Sequence, residues 1–105
     1  MYNEYLLEAC YDRRKSFYGK ARVIEANGKK ALISYETEVC SIDAKGVFHR
    51  LWYGYSATTM RHINEFLRQN GRAEGGKAFW DSCPVEPLER ISITDLIIEA
   101  KKSMA

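Results

Sequence analysis

Histidine and proline are scarce in this 105-residue chain, with two of each, and its three cysteines lie far apart. Each scarcity excludes something. Cys10, Cys40 and Cys83 form no Cys-x-x-Cys pair and have no histidine at ligand spacing, which removes the common zinc and redox motifs. Three thiols cannot all pair within one chain, so free cysteines behaving as small apolar residues in a reducing compartment are expected. His49 and His62 have no Ser, Asp or Cys beside them in a nucleophile motif. Cys40 and His49 could meet in space, but no third group is specified to orient the base. Gly71, Gly75 and Gly76 spell no phosphate loop, and the acidic residues do not cluster as Ca²⁺ or Mg²⁺ ligands would. No catalytic residue, metal or cofactor is expected, and the chain does not read as an enzyme.

Long apolar runs are also missing. None approaches the roughly 20 residues that cross a bilayer, and Met1 to Tyr5 lack the basic start and apolar stretch of a secretory signal. A cytoplasmic protein with no membrane partner is the expectation. Nor is there an excess of one charge: 16 Lys and Arg stand against 14 Asp and Glu, a net +2. A dedicated nucleic-acid binder would be strongly basic and a DNA mimic strongly acidic, so only local patches can carry electrostatic recognition. What is abundant is core material. At 46% hydrophobic and 12% aromatic the composition excludes disorder, and the length suits one domain over residues 1–105.

The pattern along the chain is β-rich and then helical. Tyr5 to Tyr11 alternate with period two, which argues for a strand, although Glu4 to Cys10 would also make two helical turns. Asp12 to Ser16 read as a turn. Ala21 to Glu25 and Ala31 to Tyr35 flank Asn27-Gly28, a pair that tolerates the positive φ of a type I′ hairpin. Further strands are expected over Thr37–Ile42 and Val47–Tyr53, separated by a turn at Asp43–Gly46. The period then changes. Ser56 or Thr58 can cap a helix over Ala57–Gln69 that places Met60, Ile63, Phe66 and Leu67 on one face, with Asn70-Gly71 as its C-cap. Arg72 to Lys77 read as a flexible connector, and Ala78-Phe79-Trp80 as a short apolar anchor. Ser92-Ile93-Thr94-Asp95 resembles a capping box that opens a second helix, with its stripe at Ile93, Leu96, Ile97, Ala100 and Met104. The fold expected is α+β: a four- or five-stranded antiparallel meander packed by one central helix, plus a C-terminal helix.

Candidate binding residues fall in three groups. Arg13, Arg14 and Lys15 are consecutive, with Phe17 and Tyr18 close behind, the combination that phosphate contact plus base stacking requires. A charged hairpin turn is the plain alternative. Arg61, Glu65 and Arg68 are spaced to share the outward face of the helix, with Gln69 beside them; there the alternative is a solvated face with an Arg61–Glu65 ion pair. Trp52, Tyr53 and Tyr55 precede the helix. Most are expected in the core, and one left partly exposed would anchor an interface. His62 is expected on the flank of the helix, between core and solvent.

Three stretches carry a resemblance: Lys15-Ser16-Phe17-Tyr18-Gly19-Lys20-Ala21, Ser34-Tyr35-Glu36-Thr37-Glu38-Val39, and Tyr55 through Gly71. Together they resemble a family of short uncharacterised proteins from phages, plasmids and integrated elements of Firmicutes. The likeness spans residues 5–71, a sheet-plus-helix core, and leaves residues 72–105 as a C-terminal extension. That family brings no assigned activity, so no functional residue follows from it. What the resemblance implies is genomic company, in which inhibitors of host defence, anti-CRISPR proteins among them, are common. The function it implies is non-catalytic inhibition of a CRISPR effector nuclease of the Cas9 class, inside the bacterial host. The partner would be the effector protein or its complex with guide RNA and target DNA. The alternative is a small single-stranded nucleic-acid-binding accessory protein of phage or plasmid replication.

Overall fold

Among the described residues, five strands and two helices make up the regular structure. The structure is a computed structural model that describes residues 2–10, 12, 17, 19–73 and 75–86. Strands β1 (Tyr2–Leu6), β2 (Ala21–Ala26), β3 (Lys29–Ser34), β4 (Thr37–Ile42) and β5 (Phe48–Arg50) form one antiparallel meander in the order β1-β2-β3-β4-β5. Helices α1 (Ala57–Gln69) and α2 (Gly76–Ser82) follow. The expected α+β meander is present with five strands. The helix expected from Ser92 onward lies outside the described residues.

Turn chemistry sets the register. Asn27 and Gly28 both adopt positive φ, 52° and 79°, and close the β2–β3 hairpin with Ala26 opposite Lys29. A two-residue loop between right-twisting strands favours this mirror-image turn. The β3–β4 hairpin uses the same loop length with far less suitable residues, Tyr35 at φ 49° and Glu36 at φ 71°. Bulky side chains held there cost about 1–3 kcal/mol each, so the surroundings must hold them. The Tyr35 ring stacks on His62 at 5.7 Å, and the Glu36 carboxylate lies 3.4 Å from Arg22.

Strand alternation sorts the side chains. Val23, Leu32 and Cys40 lie opposite one another on the face that α1 covers, while Ile24, Ala31 and Ser41 line the other. The main core joins Val23, Leu32, Val39, Cys40 and Ile42 to Met60, Ile63, Phe66, Leu67 and Trp80. Ile24, Ala26, Ala31 and Ile33 make a second buried cluster on the opposite face. A register shift between Leu32 and Ile33 lets Val39 join Cys40 in the main core.

The helix α1 has the expected limits, with its caps in place. Ser56 is extended at φ −147°, and its hydroxyl accepts the Thr59 amide at 3.0 Å. At the other end the Arg72 amide donates to Leu67 O and the Gly71 amide to Arg68 O, with Gly71 at φ 76°. Those two bonds are a Schellman cap.

Several boundaries differ from expectation. β1 runs Tyr2–Leu6 rather than Tyr5–Tyr11: the Leu7 amide takes the carbonyl of Ala21, the first residue of β2, and before it the Lys20 amide turns onto Phe17 O. β5 stops at Arg50 rather than Tyr53, since the Leu51 and Trp52 amides both turn onto the Val39 carbonyl. The anchor Ala78-Phe79-Trp80 is part of α2, so the stretch read as a connector to Lys77 ends two residues earlier, at Gly75, with Gly76 opening the helix. Cys10, Cys40 and Cys83 are free, and Cys40 is buried in the main core. Among the described residues no helix is long and apolar enough to cross a membrane.

Ile63 sits fully enclosed where α1 meets the sheet. Ile63→Ala should therefore cost about 2–4 kcal/mol in urea denaturation, as truncation of a well-buried aliphatic side chain does. A loss below about 1 kcal/mol would mean that α1 does not pack as described.

Candidate functional site

The site is built around Arg50, the last residue of β5. Alternation turns it, with Phe48, toward the main core and sends His49 the other way. Arg50 is 8% exposed. Among the described residues its hydrogen bonds all go to backbone carbonyls: Nε to Trp52 O at 2.9 Å, Nη2 to Tyr53 O at 2.9 Å, and Nη1 to Trp80 O at 2.8 Å and Cys83 O at 3.3 Å. Its Cζ also lies 4.4 Å from the centroid of the Trp80 ring. A guanidinium suits this role because its fixed fork of donors reaches several acceptors at once and its weakly hydrated plane stacks on an aromatic face.

These bonds decide what the following loop displays. The Trp80 indole N–H takes the next carbonyl, Gly54 O, at 2.9 Å. Three successive carbonyls, those of Trp52, Tyr53 and Gly54, are thereby held inward. The Tyr53 side chain is left 83% exposed on a backbone that has little freedom. Gly54 is required for a steric reason: a Cβ there would lie 2.4 Å from Cζ2 of Trp52, whose ring folds over this backbone. Trp52 itself is half-buried against the core.

Neighbouring segments carry further exposed side chains. Tyr55 is 46% exposed, with the Lys77 ammonium 5.4 Å from its ring centre. Lys77 pairs with Asp81 one helical turn on, at 2.6 Å, and that bond raises its pKa. Val85, 44% exposed, makes a parallel bridge to Arg50 itself. Exposed apolar groups from the loop and from the chain after α2 thus hang on one buried cation.

The other expected binding residues are placed differently. Arg13, Arg14, Lys15 and Tyr18 lie outside the described residues, and Phe17 is buried, with its ring edge-on to His62 at 4.6 Å. Glu65 does not share an outward face with Arg68. It is buried, accepting the Asp12 amide at 3.0 Å and the Gln69 side-chain amide at 2.6 Å. Arg61 clamps the Asp12 carboxylate through both Nε and Nη2, and Arg68 alone of the three is exposed. The spacing on α1 could not reveal that the chain after β1 returns along this flank and uses Glu65 and Arg61 as its fasteners. Neither Arg50 nor Gly54 stood out in the sequence, since nothing local marks an arginine whose acceptors include carbonyls 30 and 33 residues away.

The histidines are also fixed by partners. His62 is enclosed rather than on a flank, with Nδ1 2.8 Å from Ser34 Oγ, which lies 3.1 Å from Thr59 Oγ1. Burial first, then the nearby Arg61 charge, lowers its pKa, so it is a neutral core hydrogen-bonder. The Ser34–His62 contact has no solvent access, because both residues are buried. Cys40 and His49 cannot meet: Cys40 faces Arg50 across the ladder and His49 faces Ser41, on opposite sides of the sheet. His49 instead sits between two carboxylates, Asp43 at Nε2 and Glu86 at Nδ1. Among the described residues no three His, Cys, Asp or Glu side chains are placed to hold a metal ion.

If Arg50 organises the site, Arg50→Met should strand the buried Trp80 carbonyl and three part-buried ones and cost about 3 kcal/mol or more, at about 1–3 kcal/mol per unsatisfied group. Thermal and urea unfolding of the variant measure this. A change within about 0.5 kcal/mol, the range of an ordinary surface substitution, would contradict the assignment.

A family of unknown function, DUF8033, matches residues 5–82, from within β1 to the end of α2. No curated protein and no solved structure matches the chain.

Proposed function

The chain belongs to that family, whose name carries no activity, and from the site itself we propose that it acts by binding a macromolecular partner, without catalysis, through the loop around Tyr53. The observation that supports this reading is the combination of an 83% exposed aromatic residue with a backbone held by part-buried hydrogen bonds to Arg50 and Trp80. Tyrosine is enriched among residues that dominate interface energies, and an anchor already held in place loses little entropy on binding. Tyr55 and Val85 supply apolar rim, and the balanced charge of the chain fits contact with protein better than with phosphate.

The partner in this reading follows from the sequence resemblance: a CRISPR effector nuclease of the Cas9 class. A phage or mobile-element protein in the host cytoplasm would block it by occupying a working surface. The second reading is a single-stranded nucleic-acid accessory protein, which the same exposed ring supports because any base can stack on it.

Binding to purified effector and to a single-stranded oligonucleotide, each across a salt series, separates the two. Nucleic-acid binding should fall steeply with salt as counterions are released, and protein-directed binding should change little. Tyr53→Ala should weaken binding to the true partner about tenfold or more, roughly 1.4 kcal/mol, with an unchanged melting temperature. A wild-type protein that binds neither target removes both partners, and unchanged binding by Tyr53→Ala removes this surface.

A further inference from the structure

We infer that His49 is a proton-dependent latch that fastens the chain leaving α2 to the open edge of the sheet. The geometry alone requires a charged ring. Nδ1 lies 2.8 Å and 3.0 Å from the two Glu86 oxygens, and Nε2 lies 2.9 Å from Asp43 Oδ2. Both partners are carboxylates, which only accept. A neutral imidazole carries one N–H, so it can serve one of them and must turn a lone pair toward the other. Only the imidazolium bonds both.

The two carboxylates are not held equally. Asp43 belongs to the turn between β4 and β5, and its Oδ1 also accepts the Lys45 and Val47 amides, each at 2.9 Å. The His49 bond first, then the Val47 amide, brings its pKa down to about 2. Asp43 therefore stays ionised and in place at any pH near neutrality. Glu86 is the movable partner. Beyond its side chain, the segment touches β5 through the Glu86 amide on Arg50 O at 2.9 Å, the single Val85 bridge, and the 3.3 Å bond from Arg50 to Cys83 O. A short edge contact of this kind is where local opening begins.

Three further charged groups stand near the ring. Lys45 is in the same turn and exposed, Arg72 donates to Gly46 O of that turn at 2.8 Å, and Arg50 points to the other face of the sheet. Partial burial opposes the charged ring, but the bonds to Asp43 and Glu86 outweigh it, and the His49 pKa is raised. A raised folded-state pKa means that the latch stabilises fully below the free imidazole value of about 6.5 and is lost as pH rises through the higher folded value. His62, lowered by burial, titrates in the opposite sense, so the two histidines separate in a titration. Opening would move Val85, part of the exposed surface described above. The latch itself holds whether or not that surface binds anything.

The test follows ring protonation by ¹⁵N NMR together with hydrogen-exchange protection of the Glu86 amide, corrected for intrinsic rates, on the full chain from pH 5.5 to 9. The expected result is a doubly protonated His49 at pH 6, a midpoint above that of free imidazole, and Glu86 protection that falls at least about threefold through the same midpoint. In His49→Gln the protection should be low and flat with pH. In Glu86→Gln, a milder change that keeps the imidazole, the midpoint should drop. Unaltered exchange at α1 amides certifies that each variant is folded, and a variant that fails this check is replaced by the other. Protection constant through the His49 midpoint, a midpoint at or below the free value, or full protection in His49→Gln would each overturn the latch.

Discussion

One buried guanidinium holds together the end of the molecule that matters most. Arg50 could have been compensated by a carboxylate, as buried cations commonly are. Instead carbonyls from two separate stretches of chain converge on it, and Trp80 lies against its face. Carbonyl dipoles and a ring quadrupole stabilise the charge without fixing it to one partner, and the N–H donors set where each chain passes. The loop after β5, the helix α2 and the return of the chain to the edge of the sheet all take their position from it. Removing the cation would leave the sheet and α1 intact in outline, because their core is apolar, while the far end lost its frame.

The two histidines show how partners rather than position decide chemistry. His62 sits on α1 between Ser34, Phe17 and Tyr35, a setting that favours the neutral ring. His49 sits at an edge between two acids, a setting that favours the charged one. One closes the core beneath the strained Tyr35–Glu36 turn, and the other fastens an edge.

Much of the frame was legible because its determinants are local. Asn27-Gly28 announces a mirror-image turn, Ser56 a cap, and Met60, Ile63, Phe66 and Leu67 a buried stripe, each within a few residues. Thr37–Ile42 and Ala57–Gln69 therefore emerge with their expected limits. What was not legible depends on distant partners. The length of β1 depends on where β2 begins, and α2 is seven residues opened by Gly76, too short for periodicity to reveal. Glu65 reads as solvent-facing until the chain near Asp12 is laid against it. Of the aromatic group before α1, the sequence could say that one member was a candidate anchor, but only the carbonyls collected by Arg50 and Trp80 single out Tyr53.

The proposed binding surface depends on the loop at Tyr53 being exposed yet rigid, held by the bonds to Arg50 and Trp80. Backbone ¹⁵N relaxation of the unmodified protein measures it without a partner or a mutation. The Tyr53 and Gly54 amides should give order parameters near about 0.85, the level of rigid backbone, whereas values below about 0.6 would show a flexible loop and contradict the account.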